Sequence, residues 1–365
     1  MKTLGYKVNT SDTLDRLRSL YENRDHSKIF ACMNIPNKHL EEFNKNNIAG
    51  ICNYPDPSKR ILFWDNVLRE RINLLDDSIP SAYLSEMDQG LYDGLFGGEV
   101  RFLSDSNESN TGWISSRISP IINDLEELNK LKFDKSHKWY KRYINQLEIF
   151  IKGGTNKFGI SHLILIDGLN FIFELIGATK TYLSLIGKPE FVYKAIDFAF
   201  NLNVKIQTDF FNRVPLLDNG TFCDDAEWIP GKVVSESIDP FHMTSVEYFE
   251  KWGREPVERI FNKFDGGILH IHGNGRHLLR AVSTIKGLKA IYVCDDRGFP
   301  SAFNVLKEIK NKTGSIPLIV EVEQKDFCRD LEEHNLIGGV LYKVNQVTDI
   351  EYANQLMGKV RRYYA

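Results

Sequence analysis

The chain has 365 residues, 42% of them hydrophobic and 26% charged, with 46 Lys and Arg against 49 Asp and Glu for a net charge of −3. That apolar content fills a large core without metals or disulfides, and the scattered charges exclude a nucleic-acid stripe or a disordered tail. No stretch approaches ~18 uninterrupted apolar residues and the N-terminus lacks an apolar leader, so no membrane partner and a cytoplasmic location are expected. The cysteines Cys32, Cys52, Cys223, Cys294 and Cys328 are odd in number and far apart, which argues for reduced thiols.

Along the chain, short β-branched or aromatic runs alternate with longer amphipathic stretches, the pattern of βα units and a parallel sheet. The predicted strands are residues 28–33, 80–87, 162–167, 221–238 (broken), 267–272, 288–294, 317–323 and 339–344, with 48–52 as an accessory strand or turn. Between them, 124–152 reads as a helix stopped by Gly153-Gly154, and Pro189 suits the first turn of another. Thr244-Ser-Val-Glu247 and Thr348-Asp-Ile-Glu351 match capping boxes, and the last helix has Ile350, Ala353, Leu356, Met357 and Val360 on one face. Eight strands without a linker, and no Gly-x-Gly-x-x-Gly turn after the first, predict one domain over 1–365. Its expected fold is α/β, a (β/α)8 TIM barrel with an N-terminal helical extension.

In such a barrel, chemistry collects where strands end. The fifth predicted strand ends in His270-Ile-His272, whose imidazoles share one side because side chains alternate along a strand. Two same-side imidazoles suit a metal at ~2.0–2.1 Å. They equally suit an anionic substrate or proton transfer, or a hydrogen-bonded structural pair. The second strand ends in Ser85-Glu86-Met87-Asp88, placing Glu86 and Asp88 together as acid–base candidates or as a cap and a buried ion pair. Asp167 closes the third strand, Cys294-Asp-Asp296 the sixth and Glu321-Val-Glu323 the seventh. Cys223 and Cys294 are thiolate candidates, although a lone buried cysteine is more often inert. The polar loop 105–112 with Trp113 behind it, and the long mixed segment 217–240, are expected to bind substrate. Trp113, Asp225, Trp228 and Asp295 are the substrate-binding candidates.

Several segments resemble the uroporphyrinogen decarboxylase superfamily, which includes zinc-dependent methyltransferases serving corrinoid proteins. They are the helix 243–256, the strand Gly267-Ile-Leu-His-Ile-His-Gly273, residues 172–185 with Leu175-Ile-Gly177, the closing 344–360, and Phe96-Gly-Gly-Glu99 followed by Trp113. The resemblance implies the same barrel. The family's decarboxylases carry an Arg-Gln-Ala-Gly-Arg run after the first strand, where this chain reads Cys32-Met-Asn-Ile-Pro-Asn-Lys-His39. Without those guanidiniums an acidic mouth does not suit a polycarboxylate.

The methyltransferase branch matches at His270, with His272 in place of a cysteine and no third cysteine in 338–345. The resemblance implies zinc on His270 and His272 with an acidic third ligand, Glu323 foremost. It also implies a small-molecule thiol and a corrinoid protein, or a small methyl donor, as the methyl source. Two other readings stay open. One is a metal-independent lyase using His270 as acid and Glu86 or Asp88 as orienter. The other is a non-catalytic barrel holding a tetrapyrrole or corrinoid.

Overall fold

The computed structural model describes residues 2–47, 51–104, 111–162 and 164–365. It is a mixed α/β structure around parallel strands. We label these β1 (Ile29–Met33), β2 (Ser81–Tyr83), β3 (Gly159–Ser161), β4 (Ile164–Leu165), β5 (Val234–Ser237), β6 (Gly267–Ile271), β7 (Leu288–Val293), β8 (Leu318–Glu323) and β9 (Val340–Asn345). One sheet has seven strands in the order β1-β9-β8-β7-β6-β5-β4, and β2 pairs with β3 separately. Every ladder in both is parallel. Each predicted run overlaps one of these strands, while β3 lies just before the run 162–167 and outside all eight. The run 221–238 is more than a broken strand: it holds an antiparallel hairpin, Gly220–Cys223 with Glu227–Pro230, and then β5.

The strands have two different faces because side chains alternate. Leu269, Ile271, Ile291, Val293, Leu318, Val320, Val340 and Tyr342 join the large core shared with the helices. Phe30, Cys32, Ile268, Ala290, Ile319 and Leu341 join a smaller cluster with Trp228, Phe222 and the first helix, α1 (Thr10–Tyr21). The helical N-terminal extension is therefore real, and it covers the small cluster. Tyr21 fastens α1 there by donating its hydroxyl to the Ala226 carbonyl at 2.9 Å.

Between β1 and β2 side-chain carboxylates do much of the joining. The Asp77 N–H donates to the Ala31 carbonyl at 2.9 Å, while Asp77 and Asp76 accept from the backbone N–H of Ala31 and Met33 at 2.9 and 2.7 Å. Arg16 binds Asp77, and buried Lys7 binds Asp76 at 2.8 Å.

Local expectations fared unevenly. The helix foreseen over 124–152 starts as a 3-10 turn, Leu125–Lys130, and only Lys138–Gly154 is α-helical, with the His137 ring accepting the Trp139 N–H. Pro189 does open Pro189–Arg213. Neither capping box forms as drawn. Thr244 gives its hydroxyl to the Phe241 carbonyl and Ser245 makes no side-chain cap, whereas Asp349, not Thr348, caps the last helix through the Tyr352 N–H. An aspartate one residue nearer the helix wins because its carboxylate already reaches the orphan donor. Of 48–52, Ile51–Cys52 is an antiparallel strand against Arg101–Ser104, and 48–50 lie outside the described residues, as do 105–110 of the expected loop. Cys32, Cys223, Cys294 and Cys328 are free thiols. Among the described residues no helix is long and apolar enough to cross a membrane.

The Lys7–Asp76 pair tests the β1–β2 junction. Burial alone would raise the Asp76 carboxyl, but Lys7 and Arg71 outweigh it and hold the group below its ordinary 3.8. Its contribution is thus present above that value and fades as pH falls below it. Asp76→Ala strands the Lys7 ammonium, and urea unfolding at neutral pH is expected to show a loss of about 3–5 kcal/mol. A loss under about 1 kcal/mol would show the junction does not rest on this pair.

Candidate metal centre

His270 lies on the same face of β6 as Ile268, one step further toward the carboxyl end, and His272 follows just beyond the strand. The neighbouring β5 is registered so that Ser237 sits beside His270. Two residues later Asp239 opens a 3-10 helix, Asp239–Met243, with Pro240 in its first turn. The chain thus lifts one carboxylate to the level of the two imidazoles.

One donor atom each from Asp239, His270 and His272 fall within 4.8 Å of one another, the one such three-residue group among the described residues. His270 Nε2 is 3.0 Å from Asp239 Oδ1, and His272 Nε2 is 3.9 Å from Oδ2. The first contact is short, yet Oδ1 is out of solvent and forms no well-aligned hydrogen bond. The rings of His270 and His272 stand edge to face, 5.3 Å apart and at 89°. Asp296 fixes His272 from behind: its Oδ1 is 2.9 Å from Nδ1, and its Oδ2 accepts the Gly273 N–H at 2.5 Å. A proton on Nδ1 leaves the Nε2 lone pair directed at Asp239, the orientation metal-binding imidazoles receive from an outer carboxylate.

A third imidazole joins them. In a 3-10 helix residues i and i+3 stack, so His242 falls on the side of Asp239, with Nδ1 3.7 Å from Oδ1 and its ring 5.7 Å from that of His272. It fits because residue 275 is glycine. A Cβ there would lie 2.2 Å from the His242 ring.

Charge shapes the centre. Burial alone would lower the His270 pKa, but Asp239, then Asp225 and Asp88, lift it to about 9. Burial likewise works against ionised Asp239, yet His270, His242 and His272 hold its carboxyl well below the usual range. Burial pushes His242 down to about 4, with Asp239 opposing and the other imidazoles assisting. Asp88 is pushed up to about 7, chiefly by burial, with Arg117 and His270 pulling the other way.

Of the residues singled out from sequence, His270, His272 and Asp88 thus share one electrostatic neighbourhood, and Asp225 acts on both His270 and Asp88. Others sit elsewhere. Glu86 is fully buried with both oxygens occupied, one by Arg60 and one by Gln146 at 2.8 Å, so it anchors structure. Trp228 is wholly buried, its indole N–H on the Leu217 carbonyl and Arg18 over its ring; it belongs to the small cluster rather than to a binding wall. Trp113 is half-buried against Tyr83, ring centroids 5.1 Å apart. Asp295 accepts the Ala302 N–H at 2.6 Å and shapes the loop after β7. Glu323 is exposed at the start of the helix Gln324–Glu332, outside the donor group; Asp239 occupies the third position instead. Burial pushes the thiols of Cys223, to about 12, and Cys294 upward, and neither belongs to the three-residue donor group.

Asp239 and His242 were missed from sequence. Asking what ends each strand would have found Asp239 had 221–238 been divided at the hairpin.

No family model matches the chain, and no curated protein does. Among solved structures it is similar to a methyltransferase from Methanosarcina mazei, with a TM-score of 0.58 and 13% identity over 96% of this chain and 98% of that one. At that identity the likeness is one of fold alone.

The His270–Asp239 pair gives a pH dependence. A folded pKa near 9 against an ordinary 6.5 means that the pair's stabilisation is complete below 6.5 and is lost as pH rises through about 9. Imidazole NMR of metal-free protein is expected to show His270 titrating near 9, and Asp239→Asn to bring the midpoint back toward 6.5 or lower. An unchanged midpoint in Asp239→Asn would mean that Asp239 does not hold the charge.

Proposed function

We propose that the chain is a metal-assisted methyltransferase of the uroporphyrinogen decarboxylase-like kind. In this reading its parallel strands make a closed (β/α)8 barrel, with the small apolar cluster as its interior and the histidines at its mouth. The observation that carries the reading is the set of two imidazoles and one carboxylate at the strands' carboxyl ends, where barrel enzymes keep their chemistry. The likeness to a methyltransferase fold supports it.

The residues fit zinc. Two nitrogens and one oxygen are a usual catalytic donor set that leaves a fourth position open, and Asp296 supplies the expected outer partner. His270 and His272 would bind through Nε2, with Asp239 rather than Glu323 as the acidic ligand. Zinc held there would lower the pKa of a substrate thiol and make it a nucleophile. The methyl group would come from a corrinoid on a partner protein or from a small donor.

The chain's own side chains do the rest. Asp296 keeps the His272 proton on Nδ1. Asp88, its carboxyl raised to about 7 and facing His270, takes the thiol proton on a carboxylate oxygen. Asp225 adds negative charge beside His270 and would help to hold it protonated in the metal-free form. A second reading draws on the same pair: at neutral pH His270, raised to about 9, is a protonated acid, and Asp88, raised to about 7, would act as orienter beside it in a metal-independent lyase acting on a small carboxylated substrate.

Elemental analysis of purified protein decides between them. One zinc per chain is expected, with Asp239→Ala and His270→Ala removing it and Asp296→Ala weakening affinity about 10–100-fold. Above about pH 7, where Asp88 passes the proton on to solvent, binding of a thiol such as 2-mercaptoethanol should release a proton in the zinc form only. Metal-free protein that turns over carboxylated substrates despite a chelator would replace this reading with the lyase, and stoichiometric iron would reassign the metal.

A further inference from the structure

The amino ends of the strands, opposite the metal centre, carry an open cleft of about 540 Å³. Its walls are the segments leading into β1, β8 and β9: His26, Ser315, Leu336 and Ile337, with Lys310 from the helix Leu306–Thr313. Arg24 reaches the same place, its Nη1 3.4 Å from Ser315 Oγ and its Nη2 3.4 Å from the Leu288 carbonyl.

None of these basic groups forms an ion pair with an Asp or Glu among the described residues, and Ala365 also lines the cleft. Lys310 donates to the Ile316 carbonyl at 3.0 Å, and no carboxylate acts on it; burial and the Arg24 charge bring its ammonium down to about 8. His26 is also held low, by burial and then by Lys310, with Arg24 adding to it. Asp25 acts on His26, but its oxygens are taken by Ser27, Ser19 and Lys28. Arg24 is further held at φ +49°, a left-handed conformation that a residue with a side chain adopts at a cost. Strain and like-charge crowding are thus concentrated at one cleft, where Leu336 and Ile337 add an apolar wall.

A bound oxyanion would offset the crowding of like charges. Guanidinium, ammonium and hydroxyl donors arriving from separate segments suit the spread oxygens of a tetrahedral group better than a planar carboxylate. We propose that this cleft binds a small molecule through a phosphate group, held by Arg24, Lys310 and Ser315, with an apolar portion against Leu336 and Ile337. The site is separate from the metal centre and stands whether or not that centre transfers methyl groups.

Inorganic phosphate is the probe, titrated at neutral pH into protein in phosphate-free buffer and followed by calorimetric melting and phosphorus NMR. A phosphorus NMR change that saturates is expected, with a Tm that rises as the logarithm of phosphate concentration, by about 2 °C at ten times the dissociation constant. Arg24→Gln and Lys310→Met should each weaken phosphate by at least about tenfold, while Lys307→Met, exposed on the same helix, should not. A phosphorus NMR change that does not saturate, or a Tm rise that is the same in wild type and both cleft variants, would overturn the proposal. Citrate competing as well as phosphate would overturn the choice of a phosphate group.

Discussion

Side-chain alternation along parallel strands is the constraint on which the rest of this structure depends. It sends Leu269 and Ile271 into the helix-covered core and Ile268 and His270 to the other face. That second face is apolar only at its amino half. Toward the carboxyl ends it turns polar, with His270 beside Tyr292 and Glu321 beside Lys343, the carboxylate two residues beyond Ile319, the partner of Tyr292. Tyr292 donates to Glu321, and Asn345 reaches the same carboxylate at 3.2 Å, so this layer is bonded within itself. A slip of one residue in β6 would place both imidazoles among Leu and Ile side chains. The chemistry therefore inherits its geometry from the packing.

Such a polar layer is costly, and the charges show how the cost is met. Lys343 is held charged despite burial by Glu227, Asp224 and Asp225, and its Nζ lies 2.9 Å from the Asp224 carbonyl. Asp88, Asp167 and Asp224, by contrast, are all pushed up to about 7, chiefly by burial. A carboxyl poised near neutrality is of little use to stability, since it is neither firmly charged nor firmly neutral. It is useful to proton transfer. Asp239 is the exception among these acids. Its side chain is 42% exposed, which tempers the pull of the imidazoles, but Oδ1 faces inward toward His270.

The strands were legible in sequence because each is a short apolar run between polar punctuation, and because eight of them left little room for another plan. The helix ends were less so. Thr348 and Asp349 are both good caps, and only the path of the backbone chooses between them. Among site residues, His270 and His272 could be found because their spacing of two is itself a geometric statement. Glu86 could not be judged, because its partners Arg60 and Gln146 come from distant helices and nothing near residue 86 announces that both its oxygens are occupied. Trp228 misled for a related reason. A tryptophan in a polar loop reads as a binding surface until the loop proves to be a hairpin folded into the small core.

Asp239 and Gly275 carry the point further. The turn Gly273-Asn-Gly275 looks from sequence like a simple exit from the strand. In the structure Gly273 gives its N–H to Asp296, the carboxylate that orients His272, and Gly275 leaves room for His242 beside Asp239. Each glycine thus serves a side chain on another segment. The His270-Ile-His272 strand, the Asp239–His242 turn and the Asp296 loop consequently form one interlocked unit, in which no imidazole can be reoriented without disturbing a backbone. A site meant only to fill space would not need three segments tied through two glycines. The proposed zinc site would need that linkage, because a displacement of a few tenths of an ångström already spoils a metal's coordination.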